Sequence, residues 1–192
     1  MATTETDSVR PSKARERLLR TASALFYTEG IHEVGVDRIL NEAEVTRSTF
    51  YRHFPGKEDL VVNYIHSVDN SIRSHVDGTA PESLLAALID EHAEQICKPG
   101  FRGCAFINAA AEYPDQASPV RVAIEEHRSW MLGAATEAFR RAGHHAPDRA
   151  GRRFMLLRDG AMVSGYLHDP ESARTTLREG IDDLLEDGRS SS

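Results

Sequence analysis

Apolar residues recur along most of this chain at intervals of three and four, the spacing that aligns side chains on one face of an α-helix. The first such series begins near Ser12, includes Leu18, Ala22 and Leu25, and ends at Gly30. Glycine is favoured just beyond a helix C-terminus because it adopts left-handed backbone angles without strain. The pattern therefore predicts one long helix near the N-terminus of the chain.

Eight further helices are predicted in the same way, and glycine or proline bounds most of them. Their approximate ranges are 36–43, 46–54, 57–77, 81–98, 103–113, 119–142, 147–167 and 170–186. No stretch alternates apolar and β-branched residues as a half-buried strand would, and there is no internal repeat. The predicted fold class is therefore all-α, with about nine helices.

Composition and helix length divide the chain into four segments. Residues 1–11 are polar, so we expect a disordered N-terminal arm. Residues 12–56 hold the first three helices, and residues 57–187 hold the rest. Residues 188–192 are expected to form a disordered tail. The organisation predicted is a small N-terminal helical domain followed by a larger helical domain.

The charge distribution restricts how the chain can bind nucleic acid. The net charge is −7, and residues 1–60 hold nine Lys/Arg against ten Asp/Glu. Binding to DNA must therefore depend on a local basic surface. No apolar run approaches the roughly 18 residues that span a bilayer, and the first dozen residues lack a signal-peptide pattern. We expect a cytoplasmic protein without membrane association.

Residues 36–54 contain two short helices joined by a tight turn, which is the helix-turn-helix pattern. Small Ala43 permits close approach of the two helices, and Val45 fills the turn. The inward-facing apolar residues are Ile39, Ala43, Val45, Phe50 and Phe54. Two ordinary packed surface helices would show similar spacing, so this pattern alone leaves the function open.

The second helix of this pair has a polar outer face without acidic residues. Such a face fits the major groove of DNA, where residues near the helix N-terminus reach base edges. Arg47 can pair with guanine through two hydrogen bonds, and Lys57 can bind a flanking phosphate. Side chains such as Thr49, Tyr51 and His53 can bond phosphate oxygens. The predicted DNA-binding residues are Thr46, Arg47, Ser48, Thr49, Tyr51, Arg52, His53 and Lys57.

The string V-T-R-S-T-F-Y-R-H-F-P-G-K-E-D-L at residues 45–60 closely resembles the recognition helix and following helix of the TetR family of transcriptional regulators. The resemblance covers about residues 12–65. It implies a homodimer that binds a palindromic operator in double-stranded DNA, with half-sites about one helical turn (roughly 34–36 Å) apart. It also implies a repressor that a small-molecule effector releases.

One position departs from the family pattern. Family members usually have glycine in the turn where this chain has Glu44. If the backbone there is left-handed, a residue other than glycine costs about 1 kcal/mol. Glu44 also places a negative charge near the expected DNA surface, which weakens non-specific binding.

In the family, the last two helices pack against those of a partner subunit. Small residues in the eighth predicted helix are compatible with such close packing. The interface residues predicted on this basis are Phe154, Leu157, Ala161, Met162, Gly165, Leu177, Ile181 and Leu184. The alternative is that the same apolar stripes are buried within one subunit.

The resemblance also implies an effector pocket among the middle helices. Asn108, between Ile107 and Ala109, is the polar residue that we expect to orient a ligand. The candidate lining residues are Phe101, Phe106, Asn108, His127, Trp130 and Met131. An aromatic stripe at helical spacing is also typical of an ordinary core, so both interpretations stay open.

Two other functions are consistent with parts of the sequence. Cys97 and Cys104, separated by six residues with two glycines and a proline, permit a thiol-based redox-responsive regulator. A helical interaction protein without DNA binding is the second alternative. A di-iron enzyme requires paired Glu-x-x-His motifs, and Gly30 interrupts the one spacing of this kind, Glu29 to His32. We therefore predict no enzyme, no cofactor and no metal site.

Overall fold

The computed structural model of the protein describes residues 12–189, so the predicted arm of residues 1–11 lies outside the described residues. Within this range the chain forms nine α-helices and one 3-10 turn, Pro81–Ser83, without a strand. The all-α prediction is confirmed. The helices are α1 (Lys13–Glu29), α2 (Val36–Ala43), α3 (Arg47–His53), α4 (Lys57–Asp77), α5 (Leu84–Ile96), α6 (Ala105–Glu112), α7 (Pro119–Arg141), α8 (Pro147–Leu167) and α9 (Pro170–Arg189).

The C-terminal end of α9 differs from the prediction. The helix continues to Arg189, so assigning residues 188 and 189 to a disordered tail is wrong. Gly188 is buried against the ring of His144, and the ring of His145 hydrogen-bonds the Gly188 carbonyl at 3.1 Å. These contacts hold the last turn of α9. Residues 190–192 of the predicted tail lie outside the described residues.

The chain divides into two compact units, and the division falls within α4, between Tyr64 and Ile65. The first unit contains α1, α2, α3 and the first turns of α4. The predicted boundary at residue 56 would have assigned all of α4 to the second unit. The apolar core of the first unit includes Leu18, Phe26, Ile39, Phe50, Phe54 and Leu60, all almost completely buried.

The second unit contains the rest of α4 and the five helices that follow. Two glycines allow close contacts between these helices. A Cβ atom at Gly151 of α8 would lie 2.4 Å from the hydroxyl of Thr136 in α7, and one at Gly165 would lie 2.4 Å from Ile96 in α5. Larger residues at these crossings would separate the helices. The core includes Leu88, Ile96, Phe106, Phe139, Phe154 and Ile181.

No helix within residues 12–189 combines the length and the apolar character needed to cross a membrane.

Candidate functional site

Helix α3 is anchored on one side and open to solvent on the other. The Phe50 side chain is completely buried, and Phe54, directly after the helix, is 1% exposed. The Thr46 hydroxyl caps the helix by accepting from the Thr49 amide at 3.3 Å. All seven outward residues predicted for α3 are exposed or half-exposed, and Tyr51 is 50% exposed. The polar face of α3 is therefore available to a ligand.

The turn before α3 has the left-handed backbone that the family pattern suggested. Glu44 has φ 51° and ψ 49°. It is the one residue other than glycine with positive φ in the described part of the chain. The guanidinium of Arg17 in α1 donates to the Glu44 carbonyl at 3.2 Å. This bond ties α1 to the turn between α2 and α3.

Two residues of α3 have partners elsewhere in the first unit. Arg47 forms an ion pair with Asp37 of α2, and both side chains are more than half exposed. His53 Nε2 and the Ser12 hydroxyl are hydrogen-bonded at 2.9 Å. Exposed ion pairs contribute little to stability because water competes for both partners. Arg47 can therefore exchange Asp37 for another acceptor at small cost.

A basic stripe on α1 was missed by the reading of the sequence. Lys13, Arg17 and Arg20 are exposed, and their spacing of four and three residues places them on one helix face. The contact from Arg17 to the Glu44 carbonyl places this stripe beside the turn that precedes α3. The spacing of these basic residues was visible in the sequence. The basic stripe adds positive charge next to the polar face of α3.

The second unit contains a buried polar cluster formed by Asp69, His92, His127 and Arg158. His127 Nδ1 donates to the Asp69 carboxylate at 2.8 Å, and His92 Nδ1 donates to the Leu88 carbonyl at 2.6 Å. Burial lowers the pKa of His127 to about 4 and that of His92 to about 3. Both imidazoles are therefore neutral at neutral pH.

Arg158 extends the polar cluster toward α6 and α7. Its guanidinium donates to the Asp159 carboxylate at 2.7 Å and contacts the Cys104 sulfur at 3.3 Å. Arg128 of α7 donates to the same carboxylate at 2.7 Å. Burial by itself raises the pKa of Asp159, but the bonds from the two arginines bring it below its usual value. One carboxylate thus accepts from two guanidinium groups.

Three nitrogens of the polar cluster have no hydrogen-bond partner among residues 12–189: His92 Nε2, His127 Nε2 and Arg158 Nε. Each imidazole carries its proton on Nδ1, so its Nε2 is an acceptor without a donor. Arg158 Nε is a donor without an acceptor. Buried polar atoms are usually paired, so this group is a candidate for ligand or water contacts.

A cleft of about 480 Å³ lies beside the polar cluster. Phe106 lines the cleft, and its ring stacks on the ring of His127 with the centroids 3.6 Å apart. Arg128 lines it as well and connects it to Asp159. Other residues at the cleft are Ile107, Arg121, Ile124 and Glu125. The cleft therefore combines apolar walls with basic side chains.

Comparison with known proteins identifies the family. Residues 18–64 match the family described as bacterial regulatory proteins, tetR family. A TetR-family transcriptional regulator from Streptomyces coelicolor, known from its crystal structure, is 47% identical in sequence. The match covers 91% of this chain and 95% of that chain, with a TM-score of 0.87. This chain belongs to the TetR family. It is a DNA-binding transcriptional regulator, as the sequence predicted.

Two other regulators are similar over most of their length. The transcriptional regulator AcuR of Cereibacter sphaeroides is 28% identical in an alignment of 173 residues that covers 81% of this chain and 78% of AcuR. The HTH-type transcriptional regulator LmrA of Bacillus subtilis is 27% identical in an alignment of 137 residues that covers 68% of this chain and 73% of LmrA. The similarity therefore extends beyond the helix-turn-helix of this TetR-family chain.

The six residues predicted to line an effector pocket do not all lie together in this TetR-family structure. Phe106 lines the cleft, and His127 is stacked against it. Met131 is completely buried in the core. Trp130 is half-buried, with the guanidinium of Arg73 4.5 Å from its ring centroid. The structure thus brings together Phe106, His127 and Trp130, whose ring centroid lies 6.0 Å from that of His127.

The other two predicted pocket residues lie away from the lining of the cleft. Phe101 is half-exposed in the loop before α6. Asn108 is exposed and donates to the Arg102 carbonyl at 2.8 Å, so its amide closes that loop. Arg121 and Arg128 line the cleft instead, and the sequence analysis missed both. Their spacing of seven residues around Ile124 on α7 was the available signal.

The predicted dimer-interface residues are mostly buried within one chain. Phe154, Ala161, Met162, Gly165, Leu177, Ile181 and Leu184 pack among the helices of their own subunit, and Leu157 is half-exposed. Most of these residues belong to apolar stripes on α8 and α9, and the apolar stripe of a helix packs first against the core of its own subunit. Leu157, Ala161 and Leu177 also line the groove between α8 and α9, so the assignment of these residues to a dimer interface stays a prediction.

Neither cysteine is bonded to the other. Cys97 is exposed, and Cys104 is buried beside Arg158. Loss of solvent around the sulfur, together with Glu171, raises the pKa of the Cys97 thiol. A raised pKa lowers the thiolate fraction and so the reactivity of this cysteine. Within residues 12–189, no group of three or more His, Cys, Asp or Glu side chains is placed to hold a metal ion.

Proposed function

We propose that this TetR-family protein is a cytoplasmic homodimeric repressor that binds a palindromic operator through α3 and is released by a small-molecule effector. The observation that carries the proposal is the construction of α3. Its apolar side is fixed by Phe50 and Phe54, while its acid-free side is open to solvent. A short rigid helix of this kind fits the major groove.

Direct reading of the bases is assigned to the N-terminal half of α3. Arg47 exchanges its exposed partner Asp37 for the O6 and N7 atoms of guanine. Thr46 and Ser48, next to Arg47, are exposed hydroxyls that reach base edges or phosphates. These contacts supply specificity, because each bidentate pair discriminates against a wrong base by about 1–3 kcal/mol.

Phosphate binding is assigned to residues on either side of the base-reading segment. Tyr51, Arg52 and His53 follow in α3, and Lys57 begins α4. The basic stripe of Lys13, Arg17 and Arg20 adds three positive charges beside the turn. Such contacts raise affinity for any sequence and make it dependent on salt. They answer the requirement for a local basic surface in an acidic protein.

The dimer contact is assigned to the outer face of α8 and the groove beside α9. Four of the six large apolar side chains exposed in the described part of the chain lie on α8: Leu156, Val163, Tyr166 and Leu167. Gly160 lies between them with open space above it, and the adjoining groove holds about 270 Å³. We propose a second copy of this chain as the occupant, because a two-fold dimer matches a palindromic operator.

Effector release is assigned to the contacts that join the cleft to α4. Phe106 at the cleft stacks on His127, and His127 bonds Asp69 in the second half of α4. The same helix begins at Lys57, directly after the helix-turn-helix. A ligand that moves Phe106 can therefore displace α4. A hundredfold loss of operator affinity needs a coupling free energy of about 2.7 kcal/mol.

Gel-shift titrations against the DNA upstream of the protein's own gene test this function. We expect a sequence-specific shift whose affinity falls by about 10³-fold or more between 50 and 200 mM salt if six or more phosphates are bound. A control DNA of equal length and shuffled sequence should bind far more weakly. Equal binding to both DNAs would contradict the binding of a specific operator.

A further inference from the structure

The polar cluster and its neighbours carry one more positive than negative charge. Arg158 is 2% exposed and Arg128 about one-third exposed, and both bond the single carboxylate of Asp159. Asp69, the other acidic group of the cluster, is already paired with Arg73 at 2.8 Å. His92 and His127 are neutral, so they neither add nor remove charge. The buried Arg158 is paired with Asp159, so the surplus positive charge lies at Arg128, which is one-third exposed, and an anion at this position would pair with it.

The cleft offers a place for that anion. Arg128 lines the cleft, and the ring of Phe106 with Ile107 and Ile124 forms apolar walls. Two further charges lie at the cleft and oppose one another. Arg121 donates to the carbonyls of Ala110 and Tyr113, while Glu125 is exposed to solvent. The surplus charge therefore comes from the arginines that share Asp159.

We propose that this cleft binds a small organic carboxylate with a flat apolar body, and that Arg128 and Arg158 together compensate its charge. The carboxylate accepts from Arg128 at the cleft, and the apolar body packs against Ile107 and the small part of Phe106 that faces the cleft, since Phe106 is 1% exposed. Because Arg128 then has a second acceptor, the Asp159 carboxylate can compensate more of the charge of Arg158. This inference rests on the proposed effector function and names the chemical class of the effector.

Cys104 is the competing source of negative charge. Its sulfur lies 3.3 Å from the Arg158 guanidinium and directly before the N-terminus of α6. A thiolate here would neutralise the polar cluster without any ligand. The thiolate absorbance of the full-length protein, compared with that of Cys104→Ser at neutral pH, decides between them. We expect no difference, and an ionised Cys104 would overturn the carboxylate assignment.

Calorimetric titration of the full-length protein without DNA tests ligand binding directly. The probes are three acids, each paired with its uncharged amide: benzoate and benzamide, naphthoate and naphthamide, hexanoate and hexanamide. The amides match the shape of the acids but lack the charge. We expect benzoate or naphthoate to bind about tenfold more tightly than its amide, and hexanoate, which has no flat body, to bind more weakly than either. If neither aromatic acid exceeds its amide, or if hexanoate binds best, the proposal is wrong.

Variants locate the binding site. Arg128→Gln removes the surplus charge from a partly exposed position and should weaken the preferred acid about tenfold while leaving its amide unchanged. Arg140→Gln, on the exposed end of the same helix, is the matched control and should bind like wild type. Equal loss in both variants, or none in Arg128→Gln, would contradict the assignment. Because no DNA is present, failure here leaves the operator-binding proposal to its own test.

Discussion

At the scale of single residues, substitutions of Glu44 test whether the backbone of the turn before α3 is strained. Its φ of 51° favours glycine. We expect Glu44→Gly to raise the free energy of unfolding by up to about 1 kcal/mol, since the Cβ clash disappears. Glu44→Ala removes the same charge but keeps the Cβ atom, so it should not show this gain. Equal effects in urea denaturation would show that charge matters and strain does not.

Substitutions of Arg47 and Lys57 should have different effects on DNA binding, because Arg47 is proposed to contact a base and Lys57 a phosphate. We expect Arg47→Ala to lose about 1–3 kcal/mol on the operator and to tolerate base changes at one position of each half-site. Arg178→Ala, an exposed arginine of α9 paired with Asp90, is the control for loss of charge alone. If Arg47→Ala bound the operator as tightly and as selectively as wild type, Arg47 would not read a base.

Lys57→Ala should weaken binding to every sequence to a similar extent. Removing one phosphate contact lowers the slope of log affinity against log salt by about 0.9. Gel shifts at several salt concentrations measure that slope. An unchanged slope would remove Lys57 from the phosphate contacts.

The buried histidines of the second unit predict a loss of stability in acid. His92 has its pKa lowered by burial to about 3, against an ordinary value of 6.5. Below pH 6.5 the unfolded chain therefore binds a proton that the folded chain does not. As the pH decreases from 6.5 toward about 3, such a group therefore lowers the free energy of unfolding by up to about 1.4 kcal/mol per pH unit. Above pH 6.5 the group has no effect.

Thermal unfolding between pH 7 and pH 5 measures this effect. We expect the melting temperature of His92→Leu to decrease less than that of wild type between pH 7 and pH 5, because the variant lacks the buried titrating group. His66→Leu, at an exposed position of α4, should follow the wild-type curve. A His92→Leu curve parallel to wild type would show that His92 does not contribute to the acid sensitivity.

At the scale of helices, periodicity predicted all nine elements, and glycine and proline marked most of their ends. The ends that differ depend on tertiary contacts. Helix α9 passes Gly188 because His144 and His145 pack and bond there. Periodicity also found the buried face of α8, but the face proposed for the dimer contact is recognisable from exposure. Leu156 is 74% exposed, whereas Phe154, two residues earlier, is buried.

The proposed dimer contact can be broken at α8. We expect Leu156→Glu to shift the protein from dimer to monomer, because a charge would be buried in the apolar contact. Its large exposure in the single chain means that the fold itself should tolerate the change. Val122→Glu, an exposed apolar position on α7, is the control and should stay dimeric. Light scattering gives the mass of each, and a dimeric Leu156→Glu would contradict this assignment.

At the scale of the whole molecule, DNA binding could be predicted from the sequence because the residues that indicate it lie in one short segment, residues 45–60. The polar cluster could not be predicted, because Asp69, His92, His127 and Arg158 come from four different helices. Only packing brings such distant residues together. For the same reason, the sequence could not show that the basic stripe on α1 lies beside the turn before α3; the hydrogen bond from Arg17 to the Glu44 carbonyl shows it. The DNA-binding segment could thus be predicted from the sequence, and the proposed effector site could not.

In the proposed complex, α3 of each subunit of a dimer enters the major groove at one half of a palindromic site. Footprinting of wild type and Arg47→Ala on the upstream DNA is the most direct measurement. We expect wild type to protect two half-sites about one helical turn (roughly 34–36 Å) apart, and Arg47→Ala to lose that protection first at the guanine that Arg47 contacts. Protection without two-fold symmetry, or a footprint that Arg47→Ala leaves unchanged, would contradict this mode of binding.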